Sequence, residues 1–301
     1  MHSSITKKQA WILAARPKTL PAAASPVIIG CAVAFVENSF EPLVGIAALF
    51  GSLLLQIGAN LANDVFDYQK GTDNQDRLGP LRMTQAGLLS PKEVKTGMWI
   101  VFALAAICGL YMTINSGWLI IAIGVLAILA AIAYTGGPFP YGYKGLGEIF
   151  VFLFFGIAAV CGTYYAQAKT VSLLAFLSSI PVGLLIVAIL VVNNLRDIDG
   201  DKASGKRTLA VRFGSTWAKQ EFIVTILLAY LVVFLISFSH LSSYWPLLIM
   251  FSVPIAMPLM NSVLQDQGKK LNQTLAGTGK LTLIFSCLYS LGLICTYFFP
   301  L

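Results

Sequence analysis

Apolar runs of roughly 18 residues or more recur along the whole of this 301-residue chain, and no other feature limits its fold so strongly. A run of that length crosses the hydrocarbon core of a bilayer as a helix, where each backbone N–H and C=O is satisfied within its own segment. The chain is therefore read as an all-α polytopic membrane protein. Its composition agrees, with 57% hydrophobic and only 11% charged residues, against about 25% charged in soluble domains. About nine spans are expected, at roughly 20–36, 43–66, 98–114, 117–134, 148–168, 172–194, 221–239, 244–263 and 281–299. Some are short for a bilayer, which implies tilting or local thinning. Cys31, Cys108, Cys161, Cys287 and Cys295 lie in or beside these runs without metal-ligand spacing, and read as small buried hydrophobes.

The connections alternate in character. Short ones (37–42, 115–117, 169–171, 240–243) separate longer polar ones (67–97, 135–147, 195–220, 264–280). With the N-terminus inside, 19 of the 20 Lys and Arg residues fall on one face and only Lys169 on the other. That asymmetry orients the long connections to the cytoplasm. It also accounts for the net charge of +7, which in a soluble protein would suggest nucleic acid; no nucleic-acid partner is expected here. Lys7 and Lys8 precede an apolar segment, but Arg16, Pro17 and Lys18 interrupt it after about seven residues. The segment is read as an interfacial, uncleaved lead-in to the first span.

Two polar stretches break the apolar pattern at that same face. The first, NLANDVFDYQKGTD (60–73), closes the second span. Asn60, Asn63, Asp64 and Asp67 fall at i, i+3, i+4 and i+7, on one helical face, and Asp73 follows Gly71, where a helix would stop. In the second, VVNNLRDIDGDKASGKRT, Asn193, Asn194 and Asp197 repeat the spacing of Asn63, Asp64 and Asp67, with Asp199 and Asp201 beyond. Two matched stretches at the ends of two apolar helices read as two halves of one site, within a single domain over 1–301 (motifs at 60–73 and 193–201).

Converging carboxylates repel one another unless a cation compensates. Carboxylate and amide oxygens without His or Cys favour Mg²⁺ over Zn²⁺, and Mg²⁺ is typically shared with substrate phosphates. Lys70, Arg77 and Arg82 follow the first motif; Arg196, Lys202, Lys206 and Arg207 surround the second. Interleaved acids and bases suit a diphosphate, the acids holding metal and the bases the remaining oxygens. The connection YTGGPFPYGYKGLGE (134–148) is a Gly/Pro-rich structured turn. It offers Tyr134, Tyr141, Tyr143 and Lys144 to the same mouth, and Glu148 as its only acid. Arg16 and Lys18 place two cations before the first span, suited to an anion.

These motifs resemble the UbiA superfamily of intramembrane prenyltransferases, whose two Asp-rich motifs read N-x-x-x-D-x-x-x-D and D-x-x-x-D. Asn193, Asp197 and Asp201 match that spacing. Asn63 and Asp67 match the first motif, but Gly71 stands where an acid is expected and Asp73 comes next. That departure is similar to the branch acting on 1,4-dihydroxy-2-naphthoate in menaquinone synthesis, as are RPKTLPAAASPVIIG, NDVFDYQKGTD, YTGGPFPYGYKGLGE and NNLRDIDGDKASGKRTLAVR. The resemblance implies about nine helices in two pseudo-repeated halves around a cavity open to membrane lipid, in a bacterial plasma (inner) membrane with the site facing the cytoplasm. It further implies Mg²⁺ bound through Asn63, Asp67, Asp73, Asn193, Asp197 and Asp201, with Asp64 and Asn60 beside them, to a polyprenyl diphosphate. Lys70, Arg77, Arg82, Lys144 and Arg207 become candidates for stabilising the leaving diphosphate. Tyr134 and Glu148 join Asp67, Asp197 and Lys144 as candidate catalytic groups. Arg16, Lys18 or Lys144 would take the carboxylate of an aromatic acceptor, with Tyr141 and Phe139 as flat walls. Three alternatives are weighed at this point: a sister enzyme using 4-hydroxybenzoate, homogentisate or haem; a cation-coupled transporter, which requires acids near the bilayer midplane; and a Mg²⁺-dependent phosphatidyltransferase, whose single continuous acidic motif is not found in this sequence. Nothing in the sequence speaks to oligomeric state.

Overall fold

Each apolar run folds as a helix and ends where the sequence supplies a stop. The computed structural model describes residues 5–71, 78–239 and 241–299, and among them the regular structure is helical. A short α1 (Lys7–Ala15), capped by Thr6 with Gln9 returning the bond, ends at Arg16 in the left-handed region (φ 51°). A 3₁₀ turn at Pro17–Thr19 then leads into α2 (Leu20–Val36). The longer helices that follow are α3 (Pro42–Gln69), α4 (Pro91–Ser116), α5 (Leu119–Ala133), α6 (Gly147–Ala168) and α7 (Leu173–Arg196). Short α8 (Ile198–Ala203) and α9 (Leu209–Phe213) precede α10 (Ser215–Ser237), α11 (Trp245–Gln265) and α12 (Leu271–Phe298).

Among the described residues, eight helical segments are long and apolar enough to cross a membrane, and α5 is a ninth, shorter apolar helix. At 15 residues, α5 rises only about 22 Å, short of the bilayer's hydrocarbon core of about 30 Å. Large apolar side chains on its outer face and on α4 and α10 (Ile114, Ile107, Leu129, Leu235) are exposed, as a lipid-solvated surface requires. The cysteines depart from expectation. Only Cys161 is buried, and Cys287 is exposed on the apolar exterior.

Two packed bodies flank a central space. The larger joins α2, α6, α7, α10 and α12 through residues such as Ile29, Leu185, Phe222 and Phe285. The smaller joins α1, α3 and α4 to the connection around Met83 and Leu89. Each motif-bearing helix packs along the span that succeeds it, α3 on α4 and α7 on α10. Helices α6 and α7 approach backbone to backbone: a Cβ on Gly156 would lie 2.9 Å from the Cα of Gly183. The approach falls in a π-helical stretch of α6, Phe152–Ala158, and small residues are what lets membrane helices come this close.

Candidate active site

The two Asn/Asp stretches end α3 and α7 at the same end of the bundle. The first stops as its sequence predicts, with Lys70 as C-cap and Gly71 at φ 66°. In the second, Asp197 closes α7 and opens α8, which carries Asp199 and Asp201. Both line a cavity of about 1060 Å³ between the two bodies. At its polar end stand Asn63, Asp67, Asn193, Asn194, Asp197 and Asp201. The rest is largely apolar, with walls that include Val125, Ile128, Phe154, Ile186 and Leu190. An aromatic series, Tyr134, Tyr141, Phe150 and Phe154, runs along one wall at successive centroid separations of 5.4, 4.1 and 6.2 Å. The acids cluster at helix ends rather than mid-helix, contrary to the transporter alternative.

The chain supplies counter-charges to these carboxylates. Arg82 donates from Nη2 to Asp67 Oδ2 at 2.7 Å, with both side chains buried. The Tyr143 hydroxyl donates to Asp67 Oδ1 at 2.5 Å. Lys206 Nζ sits 3.9 Å from Asp67 and 3.6 Å from Asp201, so one ammonium bridges the two motifs. Lys70 and Lys206 both lie over the Tyr143 ring, at 4.9 and 4.7 Å. Asp197 is gripped by buried Arg196, whose Nε donates to Oδ1 at 2.8 Å. The same guanidinium donates to Asn193 Oδ1 and Asn272 Oδ1, both at 2.9 Å. Asn272 in turn donates to the Leu78 carbonyl, tying α12 to the connection after α3. Among the described residues, no three acidic, His or Cys side chains are gathered for a metal ion, which fits carboxylates already held apart by cations.

Charge crowding registers on the groups outside the spans. Burial pushes the Asp201 carboxyl up to about 6; Lys206 pulls it down, and Asp197 and Asp67 push it up again. Burial lowers Lys70, with Asp67 opposing and Lys206 adding to the shift.

Several expected residues are placed elsewhere. Asp64 is turned away from the cavity, where its oxygens accept the backbone N–H groups of Met83 and Thr84 (3.1 and 3.3 Å). Asn60 anchors the α1–α2 corner, donating to the Ala15 carbonyl and to Thr19. Lys144 is exposed, 3.5 Å over the ring of Phe139, which is itself exposed rather than a cavity wall. Arg207 is exposed too; its backbone N–H donates to the Tyr143 carbonyl, and its neighbour Lys206 faces the acids instead. Glu148 is buried behind the wall, accepting from Asn194 Nδ2 at 2.8 Å. Arg16, Lys18, Tyr134, Tyr141 and Arg82 do line the cavity, whereas Lys70 is held at its rim by the Thr135 carbonyl. Asp73 and Arg77 lie outside the described residues.

Residues 23–284 match the UbiA prenyltransferase family. The chain is 38% identical to the 1,4-dihydroxy-2-naphthoate octaprenyltransferase of Escherichia coli (strain K12), over 97% of each chain. It is 36% identical to the protein of that name from Mycobacterium tuberculosis, over 92% of this chain and 94% of the other. Its fold matches the apo structure of a UbiA homologue from Aeropyrum pernix K1, with a TM-score of 0.70 and 13% identity over 90% of this chain and 96% of that one. It also matches a UbiA homologue from Archaeoglobus fulgidus bound to GPP and Mg²⁺, with a TM-score of 0.60 and 14% identity over 95% and 99%.

Proposed function

Because the chain belongs to the UbiA prenyltransferase family, we propose that it moves a polyprenyl chain from a polyprenyl diphosphate to 1,4-dihydroxy-2-naphthoate. Carbon dioxide is lost, and the demethylmenaquinone skeleton of menaquinone biosynthesis results. The observation that carries this is the two-ended cavity, with acids and cations of both motifs at one end and an apolar, aromatic-walled remainder. A prenyl diphosphate has that same division into a charged head and an oily tail. The near full-length identity to naphthoate octaprenyltransferases supplies the acceptor.

The donor set suits Mg²⁺: Asn63, Asp67, Asn193, Asp197 and Asp201 offer only hard oxygens, with no His or Cys among them. Bound there, Mg²⁺ would supply Lewis-acid withdrawal of charge from the diphosphate. Arg82 and Lys206 would turn from the carboxylates, and Lys70 from the Thr135 carbonyl, to the leaving diphosphate oxygens, neutralising charge as the allylic C–O bond breaks. Tyr134, Tyr141 and Phe154, which line the cavity, would stabilise the developing allylic cation with their π systems. A ring carbon of the acceptor attacks that cation, and the carboxylate carbon leaves as CO₂, its bonding pair returning to the ring. Arg16 and Lys18, which also line the cavity, would hold the carboxylate beforehand. We assign the site to the cytoplasmic face of a bacterial plasma membrane on the strength of the Lys/Arg asymmetry.

The test is competition among 1,4-dihydroxy-2-naphthoate, 4-hydroxybenzoate and homogentisate at equal concentration, with Mg²⁺, one polyprenyl diphosphate and products read by mass. The naphthoate should react at least about tenfold faster, equivalent to about 1.4 kcal/mol of transition-state discrimination, and its product should lack the carboxylate. Equal use of 4-hydroxybenzoate, or a product retaining the carboxylate, would move the chain to a sister activity.

A further inference from the structure

Within the second motif, the asparagine with an available oxygen is Asn194. Asn193 Oδ1 accepts from Arg196 at 2.9 Å. Asn194, also lining the cavity, has its Nδ2 2.8 Å from Glu148 Oε1. A carboxylate only accepts, so the amide must present its NH₂ group to Glu148 and its carbonyl oxygen the other way. Among the described residues that oxygen accepts no hydrogen bond, yet it is not enclosed in protein. Asn194 is otherwise buried and lines the cavity with Asp197, Asp201 and Asn63, so the cavity is the open side left to that oxygen. Glu148 is buried, in the first turn of α6, and the bond to Asn194 is the one side-chain hydrogen bond it makes among the described residues. The first motif has no counterpart, since Asp64, the residue matching Asn194, is turned toward Met83 and Thr84.

We infer that Asn194 is an oxygen donor of the metal–diphosphate site and that Glu148 is its positioning residue, fixing the amide so that Oδ1 faces the cavity. The inference rests on the metal-dependent reading above and extends it to two residues of this chain. It gives Glu148 an orienting role that does not require contact with substrate. Partners of this kind typically change metal affinity by about ten- to hundredfold when removed.

The test uses full-length protein in nanodiscs, farnesyl S-thiolodiphosphate as a non-ionising allylic diphosphate, and Mn²⁺ counted by electron paramagnetic resonance. Asn194→Leu and Glu148→Leu should each weaken Mn²⁺ binding by at least about tenfold. The double variant should be no weaker than Asn194→Leu, because the two act as one unit. Glu148→Gln should bind Mn²⁺ close to wild type, since its amide oxygen still accepts from Asn194. Wild-type affinity in Asn194→Leu overturns the inference, as does Glu148→Gln binding as weakly as Glu148→Leu. Should Glu148→Leu fail to insert, Asn194→Leu and Glu148→Gln still decide it. Wild-type protein that binds no Mn²⁺ with the analogue removes the metal-dependent reading as well. Wild-type binding left unchanged in Asn194→Leu removes this inference alone.

Discussion

At Asp67, three groups of the chain itself, Arg82, Tyr143 and Lys206, surround one buried carboxylate, and Arg196 does the same for Asp197. Without them, acids from two helices would face one another across a poorly solvated cavity, where unpaired charge is costly. In the proposed reaction, binding of metal and diphosphate would therefore be an exchange of partners, with the cations moving from carboxylate to phosphate oxygens. Asp67→Asn and Asp197→Asn should each nearly abolish turnover, and the double variant should lose little more, because the two halves work as one unit. Wild-type-like rates in either single variant would remove the two-motif argument. The neighbouring cations make a sharper comparison. Lys206→Ala should lower kcat by at least about tenfold, whereas Arg207→Ala, whose side chain is exposed away from the acids, should stay within about twofold; the reverse order would mean that the basic arm is misread. Asp201 adds a pH dependence. Its folded-state pKa of about 6 is raised above the ordinary carboxylate value, so its contribution to stability is fully present below about 4 and lost as pH rises through about 6. Metal binding needs the deprotonated form and has the opposite sign. Mn²⁺ affinity should fall as pH drops below about 6, and in Asp201→Asn that part of the pH profile should flatten; an unchanged profile would exclude Asp201 from the site.

Helix α3 shows how far a sequence pattern reaches. Asn60, Asn63, Asp64 and Asp67 do lie along one side of it, as their spacing requires, yet only Asn63 and Asp67 line the cavity. Asn60 meets the α1–α2 corner and Asp64 the connection that carries Arg82. Positions i and i+4 share a direction closely, but i+3 and i+4 diverge by about 100°, and what each then meets is decided by elements distant in sequence. The turn around Tyr141–Lys144 was less legible still. Its 3₁₀ geometry and neighbouring glycines follow no apolar period, so Tyr143 rather than Lys144 faces the acids, and Lys206 rather than Arg207 across from it. Helix existence, motif pairing and the shared end of the bundle were legible because they depend on local composition and backbone satisfaction. For Asp64 a stability effect follows. Asp64→Ala strands two buried N–H groups, each typically costing about 1–3 kcal/mol, and loosens the segment holding Arg82. It should lower the thermal unfolding midpoint and kcat together, and loss of activity at an unchanged midpoint would return Asp64 to the metal-binding set.

On the scale of the whole molecule, the polar ends of the helices gather at one end. Arg16, Asp67, Tyr134, Asp197 and Leu275 all line the same cavity, although they come from five separate parts of the chain. In sequence, 19 of the 20 Lys and Arg residues belong to the N-terminal lead-in and the long connections at that end. Lys169, alone on the other side, sits in the short turn between α6 and α7. On the orientation proposed above, a charge asymmetry of this size would retain those connections in the cytoplasm during insertion, and a diphosphate made by soluble chemistry would then meet the acids without crossing the bilayer. The orientation can be read directly in a background lacking the five native cysteines, of which Cys287 is exposed. Ser204→Cys, between α8 and α9, should resist an impermeant thiol reagent added to intact cells and react once the membrane is opened. Thr170→Cys, exposed in the short turn between α6 and α7, should react from outside. Labelling of Ser204→Cys in intact cells, with protection of Thr170→Cys, would invert the protein in its membrane and place the acids on the outer face.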